Sequence, residues 1–391
     1  MMKWLIIGLA AAIGGGWLLT TPVDGLAGSF GLSTGRMPAD DAWSWSVATG
    51  DIDGDDDLDA IFSNEGQDSL YRNDGDGNFE NITASHLPAD SDLSWGVALG
   101  DIDGDGDLDA VFANTGPNKL YVNSGGGVFQ DLTATNFPPD EDDSRDIALE
   151  DVNGDGYPDA VIANRLGRNR LYLNDGRGVF RDVSDDNFPG DGGNTRGVVL
   201  GDVNGDGYPD AFFTNKDGQN RLYLNNGRGV FQDFTTTHLP EDFDNSRGAV
   251  MDDIDGDGDG DIIIANRLNQ QNRLYINDGS GVFHNADAIS LPIIDDWSLA
   301  VGLGDVDGDG DLDIVYADYN RNELNINNGT GVFKNVTANY LPASGSSSLG
   351  VALGDFDGDG DLDIIFANIG ANSLYLNLSP TPAFPGPLSC R

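Results

Sequence analysis

The chain has 391 residues, 66 acidic against 20 basic side chains, and a formal net charge of −46. So acidic a surface repels a phosphate backbone, which excludes nucleic acid as a partner. The single cysteine, Cys390, excludes an intramolecular disulfide framework.

In chain order the first feature is Met1-Met2-Lys3, followed by an apolar run from Trp4 to Leu19, then Pro22 and Gly25-Leu26-Ala27. A basic start, an apolar stretch and small residues at the end mark residues 1–27 as a secretory signal peptide cut after Ala27. Retention of residues 4–21 as an uncleaved anchor is the alternative and the only expected route to a membrane. Either fate places the chain outside the cytosol: secreted, periplasmic or held at the cell surface.

The next feature repeats. Acidic loops of nine residues begin at Asp51, Asp101, Asp151, Asp202, Asp253, Asp305 and Asp355, 50 to 52 residues apart. A fixed period means an array of one supersecondary unit, read here as a closed ring in which each unit builds its own small core. Counting loop positions 1, 3, 5, 7 and 9, the candidate ligand sets are Asp51, Asp53, Asp55, Asp57 and Asp59 in the first loop and Asp101, Asp103, Asp105, Asp107 and Asp109 in the second. The third and fourth loops carry Asp151, Asn153, Asp155, Tyr157 and Asp159, then Asp202, Asn204, Asp206, Tyr208 and Asp210. The last three carry Asp253, Asp255, Asp257, Asp259 and Asp261; Asp305, Asp307, Asp309, Asp311 and Asp313; and Asp355, Asp357, Asp359, Asp361 and Asp363.

Short oxygen-bearing side chains alternating on a tightly turned backbone converge on one point, and Ca2+ takes roughly 6 to 8 such oxygens. Position 7 varies between Asp and Tyr, which suits a ligand supplied by the main-chain carbonyl. Glycine holds position 4 throughout and position 6 everywhere except the first loop, where Asp56 stands. An EF-hand loop would need Glu at position 12, but that place is held by Phe62, Phe112, Ile162, Phe213, Ile264, Tyr316 and Phe366. Each loop therefore closes at its ninth residue and runs into a strand. Up to seven structural Ca2+ ions are expected, coupled to folding because carboxylates gathered without a cation repel one another. Seven ions would still leave a net charge of about −32, so the chain stays strongly acidic.

The second unit shows the plan of the repeat, with β-type segments at 95–100, 110–113, 119–123 and 128–132, each bounded by turn residues. That is a four-stranded antiparallel blade. Helical spacing is not seen after the N-terminal segment, so the fold expected over residues 28–378 is all-β, a seven-bladed β-propeller. The seventh unit stops at 374-LYLNL-378 and lacks the Gly-x-Phe strand that the others carry at Phe79, Phe129, Phe180, Phe231, Phe283 and Phe333. The segment 28-GSF-30 supplies it, so the N-terminal strand should complete the last blade and remove open sheet edges. Residues 379–391 are proline-rich and read as a short tail.

The loops and the recurring N-x-L-Y-x-N…G-x-F pattern, as in 169-NRLYLNDGRGVF-180, resemble the calcium-binding FG-GAP/VCBS repeats of integrin α-subunit propellers and of secreted microbial and cartilage-acidic-type proteins. The likeness covers about residues 28–378. Literal Gly-Ala-Pro motifs are absent, so it is to the calcium-loop half of the family signature. The resemblance implies a propeller and extracellular recognition, and it names no ligand.

Strand directions place the loops between second and third strands, and the linkers between blades, on the face opposite the calcium loops. Six residues before each calcium loop stand Trp45, Trp95, Arg145, Arg196, Arg247, Leu299 and Leu349. Arg165, Arg168, Lys216 and Arg267 are expected on the same face, and 13 of the 20 basic residues lie between 145 and 273, which makes blades 3 to 5 the cationic sector. Two readings of this face stand. Arginine forks with Trp45 and Trp95 beside them capture a uronate, a sulfate or an acidic side chain. Alternatively they pair with the acidic linkers at 140–143 and at Glu241, Asp242 and Asp244.

His86, His238 and His284 form no motif, and there is no nucleophile elbow, zinc spacing or phosphate-binding loop. Catalysis is not expected. The function expected is that of a monomeric binding or adhesion module for a glycan or an extracellular protein; a calcium-dependent polysaccharide lyase on the same propeller is the alternative.

Overall fold

The computed structural model describes residues 29–39, 41–190, 193–293, 297–343 and 345–378; the signal or anchor segment and the C-terminal tail lie outside the described residues. Seven four-stranded antiparallel sheets follow one another along the chain. In blade 2 the strands are Ser94–Gly100, Asp109–Asn114, Lys119–Asn123 and Phe129–Asp131, hydrogen-bonded in that order. The first strand of every blade touches the first strands of both neighbours, and the circle closes between blades 7 and 1. First strands therefore surround the axis and fourth strands lie outside.

Closure is made as the sequence requires. Phe30–Leu32 pairs antiparallel with Ser373–Asn377, with Phe30 opposite Asn377, and becomes the outer strand of blade 7.

The expectation that each unit has its own core needs correction. The buried clusters are shared between neighbours: Val111 and Leu120 of blade 2 pack with Ile147, Ile162 and Tyr172 of blade 3. A strand sends alternate side chains to opposite faces, and a single sheet has no second layer of its own, so the adjacent blade must supply it. This is why the second strands, such as Asp109–Asn114, are buried along their whole length.

A second departure is six helical turns of four residues after the fourth strands, Thr83–His86, Thr133–Asn136, Ser184–Asn187, Thr235–His238, Asp287–Ser290 and Thr337–Tyr340. One turn is too short to write a 3.6-residue period into the sequence. Each is tied down locally, as where the Leu70 N–H donates to Thr83 Oγ1 at 2.9 Å. His86 and His238 end two of these turns, with the Ser85 and Thr237 hydroxyls 2.7 Å from their Nδ1 atoms.

The N-x-L-Y-x-N motif proves to be a latch between blades. Its first residue, Asn118 in blade 2, accepts the Asn114 N–H through Oδ1 at 2.7 Å and so shapes the turn into the third strand. Its tyrosine reaches the preceding linker: Tyr121 donates to Asp90 at 2.9 Å, Tyr172 to Asp140 at 3.0 Å, and Tyr275 to Asp242. Its last asparagine donates to the acidic loop of the preceding blade, Asn123 to the Ile52 carbonyl and Asn174 to the Ile102 carbonyl, both at 2.8 Å. Asn377 to Val306 joins blade 7 to blade 6, and Asn73 to Phe356 carries the same bond across the closure, at 2.9 Å each.

Candidate metal loops and a cavity on the opposite face

In the second loop Asp101 accepts the Gly104 N–H at 2.8 Å and the Gly106 N–H at 3.1 Å, and Asp105 accepts the Asp107 N–H at 3.0 Å. The ninth residue is buried. Asp109 accepts the Ile102 N–H on one oxygen at 2.9 Å and the Asn123 N–H on the other at 2.8 Å, which clamps the loop to the third strand. The six other loops repeat that clamp, from Asp59 with Ile52 and Asn73 to Asp363 with Phe356 and Asn377. Burial pushes the carboxyls of Asp59, Asp109, Asp159, Asp210, Asp261 and Asp363 up to about 7, and that of Asp313 to about 8. The ninth aspartate is thus a structural staple as well as a candidate ligand. The pairing of each such Asp with the Asn that ends the third strand was the available sequence signal.

Five loops bring three carboxylate oxygens within 4.8 Å of one another: Asp51, Asp53 and Asp55; Asp101, Asp103 and Asp109; Asp253, Asp255 and Asp261; Asp305, Asp307 and Asp313; and Asp355, Asp357 and Asp359. Oxygens bound to one Ca2+ at about 2.4 Å are separated by up to about 4.8 Å, so these groups fit a single divalent cation. Asp53 Oδ1 and Asp357 Oδ1 are buried with no hydrogen-bond partner, as atoms reserved for a cation would be. The third and fourth loops bring one carboxylate fewer because position 3 is asparagine. Asn153 donates to Asp159 at 3.0 Å and Asn204 to Asp210 at 3.3 Å.

Position 7 turns its side chain away from the loop centre. Asp57 lies over Gly75 and Tyr157 over Gly176, so close that a Cβ on either glycine would meet them at 2.5 and 2.4 Å. The side chain there can vary because a glycine in the next hairpin accommodates it. At position 6, Asp56 holds a φ of +73° where the second loop has Gly106 at +97°. A left-handed conformation costs a non-glycine residue about 1 kcal/mol or more. Asp56→Gly is expected to raise the melting temperature by about 2 °C; a thermal melt showing no rise would remove strain as the reading of this position.

On the other face, every first strand carries a β-bulge, its register slipping between Ser44 and Ser46, Ser94 and Gly96, Ser144 and Asp146, Thr195 and Gly197, Ser246 and Gly248, Ser298 and Ala300, and Ser348 and Gly350. The extra residues are Trp45, Trp95, Arg145, Arg196, Arg247, Leu299 and Leu349. A bulge re-aims its side chain, and all seven line one cavity of about 170 Å³. Since each first strand runs from its bulge to its acidic loop, the cavity sits at the end of the axis away from those loops.

Within the cavity Trp45 and Trp95 lie with ring centroids 4.0 Å apart, and the Arg145 guanidinium stacks 3.7 Å over Trp95. Arg247 is 5.6 Å from the Trp45 ring and 5.9 Å from that of Trp95. Trp95 Nε1 donates to Thr115, whose hydroxyl donates to Asp143; Asp143 also pairs with Arg145 at 2.5 Å and Arg165 at 3.4 Å.

The basic residues divide. Arg168 pairs with Asp185 and the Phe188 carbonyl, Lys216 with Asp217 at 3.7 Å, and Arg170 and Arg273 with the linker residues Asp142 and Asp244. Pairing with the acidic linkers is thus seen for Arg170 and Arg273, and for Arg145 and Arg165 with Asp143, whereas Arg168 and Lys216 meet acids outside those linkers; Arg165, Arg168, Lys216 and Arg267 all stand apart from the cavity lining. Arg196, Arg247 and Arg267 pair with no carboxylate among the described residues, and the buried Nε atoms of Arg196 and Arg267 have no acceptor. Burial, reinforced by repulsion from Arg267, Arg196 and Arg145, drives Arg247 down to about 9; burial, with Arg145, Arg165 and Arg267, drives Arg196 down to about 10. Asp146 also lines the cavity, but its oxygens are taken by the Ile147 and Val198 N–H groups at 3.0 Å each, and burial pushes its carboxyl up to about 6. This ring of residues is legible in the sequence as the position six before each acidic loop; the bulge that turns it inward left no mark there.

Seven latched blades with acidic loops on one face and a central cavity on the other define a repeat β-propeller. The family model described as FG-GAP-like repeat matches residues 53–112, 101–162, 151–213, 202–264, 253–316 and 305–366, and the chain belongs to that family. No curated protein matches it in sequence. Among solved structures it is similar to an Agrocybe aegerita lectin described as recognising non-reducing terminal N-acetylglucosamine, with 20% identity, a TM-score of 0.52, and 85% of this chain and 87% of that one covered. BBS1N in complex with ARL6DN matches with 14% identity and a TM-score of 0.58 over 92% and 98% of the two chains. The extracellular domain of a hybrid two component system from B. thetaiotaomicron matches with 11% identity and a TM-score of 0.55, over 89% of this chain and 39% of that one. At these identities the likeness is one of fold.

Proposed function

We propose that this protein is an exported, calcium-stabilised propeller that acts as a binding or adhesion module for a glycan or an extracellular protein, with the cavity face as its ligand face. The observation that carries the reading is a contrast between the two faces. Around the acidic loops the buried atoms left without a partner are carboxylate acceptors such as Asp53 Oδ1 and Asp357 Oδ1, which a cation satisfies, whereas at the cavity they are donors: the Nε atoms of Arg196 and Arg145 and the Trp45 indole N–H. Buried donors without acceptors cost about 1 to 3 kcal/mol each, a cost that a bound ligand removes.

Calcium supplies stability in this reading and no chemistry at the ligand. Weak sites of about 10⁻⁴ to 10⁻³ M fill outside the cell, where calcium is plentiful. The N-terminal segment supports export, and the lectin and extracellular-domain neighbours support recognition as the use of such a scaffold.

The test is a glycan array and a pull-down from an extracellular-protein library with the calcium-loaded protein, run beside Trp95→Ala. A glycan-binding module gives array hits that the variant loses at least tenfold, and a protein-binding module gives a captured partner with the same dependence. Hits that ignore the substitution, or none in either assay, sink the proposal.

A further inference from the structure

The ring of bulge residues is graded around the axis. Blades 3, 4 and 5 contribute Arg145, Arg196 and Arg247; blades 6, 7, 1 and 2 contribute Leu299, Leu349, Trp45 and Trp95. One half of the wall is cationic and the other apolar. Arg247 faces across to the two indole rings, and the Arg145 side chain is 4% exposed with Nε and Nη1 unpartnered.

We infer that the cavity binds the carboxylate of a single six-membered-ring acid, its charge held by Arg196 and Arg247 and its ring against Trp45, Leu299 and Leu349. This rests on the reading of the cavity face as the ligand face and narrows it to a chemical class.

Three features select that class. The first is charge. The two carboxylates within reach are spent, Asp146 on the backbone N–H groups of Ile147 and Val198, and Asp143 on Thr115, Arg145 and Arg165. The guanidiniums of Arg196 and Arg247 repel each other; Asp143 attracts Arg196 and Asp146 attracts Arg247, yet among the described residues neither carboxylate forms an ion pair with them, and planar forks of this kind bind a planar carboxylate through two parallel N–H bonds.

The second is size. A cavity of roughly 150 Å³ holds benzene, so the 170 Å³ here holds one ring with a carboxylate and exceeds what an inorganic anion fills. The third is the apolar arc. Leu299 and Leu349 are 4% and 3% exposed and carry no hydrogen-bonding group, so an ion such as sulfate would leave that side of the wall without a partner. A ring, aromatic or pyranose, covers it with carbon and C–H surface. The acid arrives free or as the terminal uronate of a glycan; both present the same group.

Isothermal titration of the full, calcium-loaded chain with benzoate, glucuronate, acetate, sulfate and benzyl alcohol tests the inference. One site per chain is expected for benzoate or glucuronate, at least tenfold tighter than for acetate, sulfate or benzyl alcohol. Tighter benzoate assigns a free aromatic acid, tighter glucuronate a uronate end. Arg196→Gln and Arg247→Gln should each weaken the preferred acid at least tenfold, Arg196→Lys less, and Arg168→Gln, whose guanidinium is held by Asp185, not at all. Melting in calcium shows which variants are folded, and the wild-type ligand series stands without them. Binding of neither ring acid, or equal binding of benzyl alcohol or sulfate, overturns the inference. If array hits are nonetheless found, the face still binds a ligand but not through a ring carboxylate. Acid binding without array hits supports the site and removes the glycan reading alone.

Discussion

Chelating calcium is expected to lower the melting temperature of the intact protein by about 10 °C or more. An ion that binds only the folded state adds about 2.7 kcal/mol at 100 times its dissociation constant, and 1 kcal/mol moves the midpoint of a large domain by roughly 2 to 4 °C. Two or three filled sites suffice. Removal also restores repulsion: two carboxylate oxygens within 4.8 Å of each other, as in the loops, oppose each other by at least about 1 kcal/mol in water and about 3 at an effective dielectric of 20. The five loops with three clustered carboxylates should carry most of the effect, and the two with Asn153 and Asn204 less. Melts in millimolar Ca2+ and in chelator, with metal counted by mass spectrometry on the same sample, decide it. Few ions and coincident melts would make the loops solvated turns.

Asp103→Ala and Asp109→Ala should part company although they lie in one loop. Asp109 is fully buried and accepts the Ile102 and Asn123 N–H groups, so truncation strands two donors at about 1 to 3 kcal/mol each. That loss does not depend on an ion, so the melting temperature of Asp109→Ala should fall in chelator as well as in calcium, and further in calcium, where a candidate ligand is also lost. Asp103 is half-buried, and burial followed by repulsion from Asp105 raises its carboxyl above the ordinary range. In chelator its removal relieves repulsion and should leave stability unchanged or slightly higher. In calcium it deletes a ligand and should cost most of the contribution of one site. Equal drops for Asp103→Ala in both conditions would count against metal binding by this loop. A calcium-dependent loss confined to Asp109→Ala would assign the ion to the staple alone.

The cavity and the acidic loops occupy opposite ends of the same strands. Ser94–Gly100 begins at the bulge that turns Trp95 inward and ends one residue before Asp101 opens the loop.

The number of blades, their four strands, the acidic loops and the closing role of Phe30–Leu32 were determined by the sequence itself. Each depends on local chemistry repeated at a fixed period: paired turn residues, short apolar runs, an Asp every second position, and one Gly-x-Phe strand missing at one end and supplied at the other. Tertiary structure alone decided the rest. The cores lie between blades because a lone sheet has no layer to cover it, and the asparagine latches join residues 71 or more positions apart, as Asn123 joins Ile52. Which arginines pair and which stay free was decided in the same way. Arg170 and Arg196 are both basic residues of the cationic sector, yet one meets Asp142 and the other is turned by a bulge into a cavity whose carboxylate, Asp146, is hydrogen-bonded to backbone N–H groups instead. A shift of one residue in strand register sends a side chain to the other face, and such a shift is a property of the pairing between strands, which composition and spacing do not record.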